Sequence, residues 1–118
     1  MQPTNAGVWN SRCWARAIVG ANLTAALDDC NESLRLKPDV ANTIDSRALV
    51  KLKLGDLDAA LADYDKALGL NPKLAGSLLG RGVVREKKGD SAGAEADFAA
   101  AKAIKADMAD EWARYNVK

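Results

Sequence analysis

The chain has 118 residues, 48% of them hydrophobic and 28% charged, with a formal net charge of +1. This mix fits one soluble globular domain and excludes a disordered chain, while the near-neutral charge disfavours nucleic acid as a partner. Histidine is absent, which removes the usual general base and the commonest metal ligand.

Read from the start, Met1-Gln2-Pro3-Thr4-Asn5 has neither the basic region nor the apolar core of a secretory leader. No later run approaches the ~20 apolar residues that cross a bilayer, so membrane insertion is not expected. The chain then enters a phrase that recurs. Ser11-Arg12-Cys13-Trp14-Ala15-Arg16 aligns with Ser46-Arg47-Ala48-Leu49-Val50-Lys51 and with Gly80-Arg81-Gly82-Val83-Val84-Arg85. Next come Gly20-Ala21-Asn22-Leu23, Gly55-Asp56-Leu57 and Gly89-Asp90-Ser91, the first carrying one extra residue. Ala26-Leu27-Asp28-Asp29-Cys30 then matches Ala60-Leu61-Ala62-Asp63-Tyr64 and Ala94-Glu95-Ala96-Asp97-Phe98. Pro38 and Pro72 close the first two phrases 34 residues apart, and Ala106 stands where a third proline would fall.

Each unit reads as helix, turn, helix. Ile44, Ala48 and Leu52, then Leu57, Ala60, Leu61, Tyr64, Ala67 and Leu68, recur at helical spacing. Gly55 suits the left-handed conformation that ends a helix, and Asp56 suits the cap of the next one. Gly89-Asp90 repeats the device, and Asn22 is expected to replace the cap in the first copy. Pro38 and Pro72 fall where a missing amide donor stops the second helix.

A helical hairpin repeating every 34 residues resembles the tetratricopeptide repeat (TPR) family. The resemblance implies an all-α fold: a TPR-type α-α superhelix of three hairpins plus a closing helix. The units are residues 6–40, 41–74 and 75–108, closed by 109–118. Small residues Cys13, Ala48 and Gly82 on the first helices, and Ala26, Ala60 and Ala94 on the second, fall where the family packs the two closely. Trp9, Ile44 and Leu78 occupy the large position of the first helix. Trp112 shares their register and, with Tyr115, is expected to cap the stack, since a repeat buries its apolar face only against a neighbour.

Three sets of residues stand out. Arg12, Arg47 and Arg81 on the first helices face Asp29, Asp63 and Asp97 on the second, in a ladder suited to ion pairs within or between repeats. Catalysis by these carboxylates has no nucleophile–base pair or acid/base dyad to support it, and no glycine-rich phosphate loop is present. The chain is therefore read as a non-enzyme with no cofactor and no metal. Cys13 and Cys30 fall, in the family, at positions that point into one hairpin contact. A disulfide and two reduced core thiols are both compatible with that placement. A bridge would favour an exported or periplasmic home; free thiols would favour the cytoplasm.

The resemblance also implies that the layer of first helices receives a protein or peptide on its concave face. By the family register that face presents Asn10, Trp14 and Ile18, then Asn42, Asp45, Leu49 and Leu52, then Leu79, Val83 and Lys87. Trp14, Leu49 and Val83 form an expected row of apolar anchors, with Asn42, Asp45 and Lys87 setting polar specificity. The alternative is a structural or self-associating module, such as a homo-oligomer, whose groove is filled from within. Family members that hold the C-terminal carboxylate of a chaperone use cations here. The matching positions are Asn10, Trp14, Ser46, Gly76 and Gly80, which offer none, so that ligand is not expected.

Overall fold

The computed structural model describes residues 5–113, except for the side chains of Met108, Ala109 and Glu111. The described chain forms seven helices: α1 (Ala6–Val19), α2 (Leu23–Leu36), α3 (Ala41–Lys53), α4 (Leu57–Leu70), α5 (Ala75–Lys87), α6 (Ser91–Ile104) and α7 (Met108–Ala113). No described helix is long and apolar enough to cross a membrane.

Three antiparallel hairpins, α1–α2, α3–α4 and α5–α6, stack in chain order. The odd-numbered helices touch along the stack, α1 on α3, α3 on α5 and α5 on α7. The even-numbered helices do not touch one another and pack only against odd-numbered ones. A stack closed on one side and splayed on the other is curved, and the odd-numbered helices form its inner, concave layer.

Small side chains allow the close approach within each hairpin. Cys13, Ala48, Ala26 and Ala60 are completely buried, and Ala94 nearly so. Ile44 and Leu78 fill the large position, with Trp9 and Trp112 at the two ends of the same row. Trp112 on α7 is buried, as a closing element requires. The expectation for Tyr115 lies outside the described residues.

The turns follow local chemistry with one exception. Gly55 and Gly89 adopt φ of 85° and 87°, conformations that cost a side-chain-bearing residue about 1 kcal/mol or more. Asp56 and Asp90 then accept from the Ala59 and Gly93 amides and cap α4 and α6. Asn22 does not replace them. The extra residue in its turn carries it into the left-handed region (φ 55°), and its side chain makes no cap bond to α2. The second helix of each hairpin ends at the same register, Leu36, Leu70 and Ile104, although only the first two are followed by a proline. In all three the next residue turns extended while its N–H still reaches the carbonyl four residues back. Proline therefore reinforces this stop and does not create it.

Candidate functional site

Every ladder aspartate is buried and meets two cations. Arg12 grips Asp29 through two parallel bonds, Nε to Oδ2 at 3.1 Å and Nη2 to Oδ1 at 2.8 Å. Arg47 holds Asp63 at 2.9 and 3.0 Å, and Arg81 holds Asp97 at 3.0 and 2.8 Å. A second cation, one helical turn beyond each arginine, completes the set: Arg16 on Asp29, Lys51 on Asp63 and Arg85 on Asp97. Their recurrence was visible in the repeated phrase, four residues after each ladder arginine, where side chains share a helix face. The ladder also links neighbouring hairpins. Arg47 donates to Asn31 Oδ1 and Arg81 to Asp65 Oδ1, both at 3.0 Å, from the preceding hairpin. The bond to Asp97 holds the Arg81 guanidinium above its ordinary pKa despite partial burial. Each of these carboxylates is held between two cations, which suits a tie between helices.

Cys13 and Cys30 form a disulfide across the first hairpin, with Cα atoms 5.4 Å apart. They occupy the register of Gly82 and Phe98 in the third hairpin, so the bridge stands where that hairpin uses a small residue against a ring. Among the described residues, no group of three or more histidine, cysteine or acidic side chains is arranged to hold a metal ion.

Among the described residues, one hollow lies across the inner layer and another lies between α5, α6 and α7. The larger, of about 590 Å³, runs across α1, α3 and α5; Asn10, Trp14, Asn42, Asp45 and Gly76 line it, with Lys73 and Lys105 at its edge. The second, of about 490 Å³, is mostly apolar and is lined by Leu79, Val83, Phe98, Ala101 and Trp112. The ten residues expected on the concave face thus separate. Asn10, Trp14, Asn42 and Asp45 share the first hollow, and Leu79 and Val83 share the second. Ile18 is half-buried and Lys87 is exposed, and neither lines a hollow described here.

Leu49 and Leu52 face inward. Leu49 is 1% exposed and Leu52 4%, both within the central apolar cluster, so a docked segment cannot reach Leu49 as the middle of an anchor row. The close contacts of α3 with both α1 and α5 cover this position, whereas Trp14 and Val83 keep part of their surface open.

Polar groups in the first hollow are poorly satisfied. The Asp45 carboxylate is half-buried, and its partial loss of water pushes its pKa up to about 6. Its one hydrogen-bond donor is the Ser77 hydroxyl at 2.6 Å, which only partly offsets the desolvation. Ser77 lies on α5, one hairpin away, and falls outside the 34-residue register of Asp45, so the repeat gave no sign of it. Asn10 Oδ1 is buried with no donor among the described residues, and so is the Tyr64 hydroxyl. Burial, and after it the charges of Asp45 and Asp63, push the Tyr64 phenol well above its ordinary pKa. At the joint between the first two hairpins, Lys53 donates to the Ala17 and Ile18 carbonyls at 2.5 and 3.0 Å. A cation at the C-terminal end of α1 complements the helix dipole, while burial lowers the pKa of that ammonium.

A family model described as "TPR repeat" matches residues 48–89. Among solved structures, the TPR domain of Arabidopsis OM64 superposes with a TM-score of 0.81 at 23% identity, over 94% of this chain and 91% of that one. Two crystal structures of MamA superpose with TM-scores of 0.74 and 0.76, each at 22% identity over 91% of this chain. The chain spans only 58% and 62% of those MamA chains. No curated protein sequence matches it. Proteins of this fold generally mediate protein–protein interaction and are typically non-catalytic. The stacked hairpins and the likeness to these structures give the chain the fold of a tetratricopeptide-repeat solenoid, and the repeat model matches its middle, residues 48–89.

Proposed function

We propose that the chain is a binding module that holds a peptide or protein segment against the inner layer of α1, α3 and α5. The observation that carries this reading is the 590 Å³ hollow across those helices, where the half-buried Trp14 ring lies beside poorly satisfied polar groups. Ligand sites combine a largely apolar concave surface with a few convergent polar groups, and tryptophan is enriched among binding anchors. The preformed layer limits the ordering cost of docking. In this reading Trp14 and Val83 supply apolar contact, Asn42 and Asp45 supply polar contact, and Leu49, Leu52 and Leu79 hold the floor beneath them. The unit that binds is the whole stack, with repeats at 6–40, 41–74 and 75–108 closed by 109–118. The Cys13–Cys30 bridge favours an oxidising compartment as its home.

The test is a random peptide library panned on the wild-type protein, with affinities of the selected peptides measured by fluorescence anisotropy. Trp14→Ala and Asn42→Ala should each weaken binding about tenfold, as loss of a central contact does. Glu95→Ala, an exposed position on α6, should leave it unchanged. Peptides bound equally by all four proteins would place the interaction elsewhere. Light scattering over a concentration series covers the self-associating alternative: a dimer that forms with the groove and dissociates in Trp14→Ala would replace the peptide reading.

A further inference from the structure

The four buried or desolvated aspartates on the paired helices are treated unequally. Asp29, Asp63 and Asp97 each receive two cations from the chain. Asp45 receives one hydroxyl, from Ser77, and no cation among the described residues. Removing a carboxylate from water without a counter-charge is costly, and a protein relieves the cost by protonation or by pairing. Asn10 adds a second unmet need at the same place. Its Oδ1 is buried without a donor and its side chain lines the same hollow. A carboxylate with one neutral donor and no counter-charge, beside an amide oxygen without a donor, forms a receptor for a group that carries positive charge and several N–H bonds. Trp14 lines the same hollow, and an indole face attracts such a group further.

We propose that the Asp45–Asn10 pocket receives a lysine or arginine side chain of the docked segment, with Asp45 as its counter-ion and Asn10 Oδ1 as a further acceptor. This rests on the groove reading above and narrows it: the partner is a segment with a basic residue where it crosses α1 and α3. Charge complementarity selects this occupant, because an acidic side chain here would face a desolvated carboxylate. Among the described residues, the other titratable and charged groups near the pocket are Tyr64 from α4, whose phenol feels the charges of Asp45 and Asp63, Lys73 in the turn before α5 and Lys105 just after α6. The two lysines stand at the edge of the hollow and do not pair with Asp45.

The experiment takes peptides selected from the same library on wild-type protein and replaces each basic residue in turn with methionine. Binding is measured to wild type and to Asp45→Asn, which keeps the shape and can still accept from Ser77. One basic-to-methionine change should weaken binding to wild type at least tenfold and to Asp45→Asn less than twofold. Affinity of the unmodified peptide for wild type should fall as pH drops from 7.5 through about 6, where Asp45 takes up its proton, and stay flat for Asp45→Asn. Peptides that need Trp14 and Asn42 but show no coupling between a basic residue and Asp45 would overturn this proposal and leave the groove reading standing. Peptides indifferent to Trp14 and Asn42, or none selected at all, would overturn both.

Discussion

Where α5 packs on α6, Gly82 leaves room for the Phe98 ring; where α1 packs on α2, the same two register positions hold Cys13 and Cys30. A Cβ built on Gly82 would lie 2.5 Å from Phe98 Cε1, far inside van der Waals contact. The first hairpin has no ring at this place and closes the gap with a covalent bond. Its neighbour in the middle hairpin lies between the two, with Ala48 and a fully buried Tyr64. The difference shows that the repeat fixes a distance between helices and leaves the means of filling it open. It also implies that hairpin one depends on the redox state of its surroundings and hairpin three does not.

The largest effect should come from breaking that covalent link. The cysteines are 17 residues apart, and closing a loop of that length contributes about 3 kcal/mol, mainly by restricting the unfolded chain. In a stacked repeat the loss should be felt first locally. Reduction, or Cys13→Ala with Cys30→Ala, is expected to speed amide hydrogen exchange in α1 and α2 well before α5 and α6. Uniform acceleration along the whole chain would show that the hairpins are not separable and would dissolve the comparison. Gly82→Val probes the other end. Its added methyls meet Phe98, and overpacking of this kind costs about 2 kcal/mol. The loss should be the same under oxidising and reducing conditions.

The architecture was legible in the sequence because it is written three times. A 34-residue period, small residues at the helix contacts and a shared register for Trp9, Ile44, Leu78 and Trp112 each needed only comparison of one copy with the next. What a single copy does differently was harder. Asn22 stands at the cap position by alignment, but one added residue changes its backbone conformation and removes the bond. Leu49 lies in the row of Trp14 and Val83 by register, yet α3 lies between two full-length helices, whereas α1 packs on one odd-numbered helix only and α5 is followed by the short α7, so the middle member is covered. The periodic pattern tells which face a residue occupies. It does not tell how much of that face the adjacent helices take. The Asp45–Ser77 contact joins two hairpins off the repeat register, so periodic reasoning had no handle on it.

Asp45 offers the next prediction, at the joint between the middle and third hairpins. Its folded pKa, about 6, lies above the ordinary 3.8, so the folded chain binds more protons than the unfolded one between those values. Stability then falls as pH rises through that window. The shift corresponds to about 3 kcal/mol at full desolvation, and the open side of the hollow reduces this to about 2 kcal/mol or less. Urea unfolding at pH 4.5 and 7.5 should show Asp45→Asn gaining on wild type at the higher pH. A constant difference between the two proteins would mean that the carboxylate is solvated in the folded state. Because Ser77 belongs to α5, the gain should appear as slower exchange in α3 and α5, with α1 and α2 unaffected.

The smallest effect separates the turns of the first and later hairpins. Asp90 caps α6 by accepting from the Gly93 amide at 3.0 Å, and removing such a cap in Asp90→Ala costs about 1 kcal/mol. Asn22 makes no equivalent bond and sits at φ 55°, a conformation that glycine adopts without steric cost. Asn22→Gly should therefore leave stability unchanged or raise it by a few tenths of a kcal/mol, read from the urea midpoint of the oxidised protein. A loss as large as that of Asp90→Ala would mean that Asn22 does cap α2 in solution. The extra residue would then be accommodated elsewhere in the turn, and the bridge would no longer sit in the hairpin with the weaker turn. If the expected asymmetry holds, the covalent link lies in the hairpin whose turn contributes least, and restoring a capped turn there should lessen the damage done by reduction.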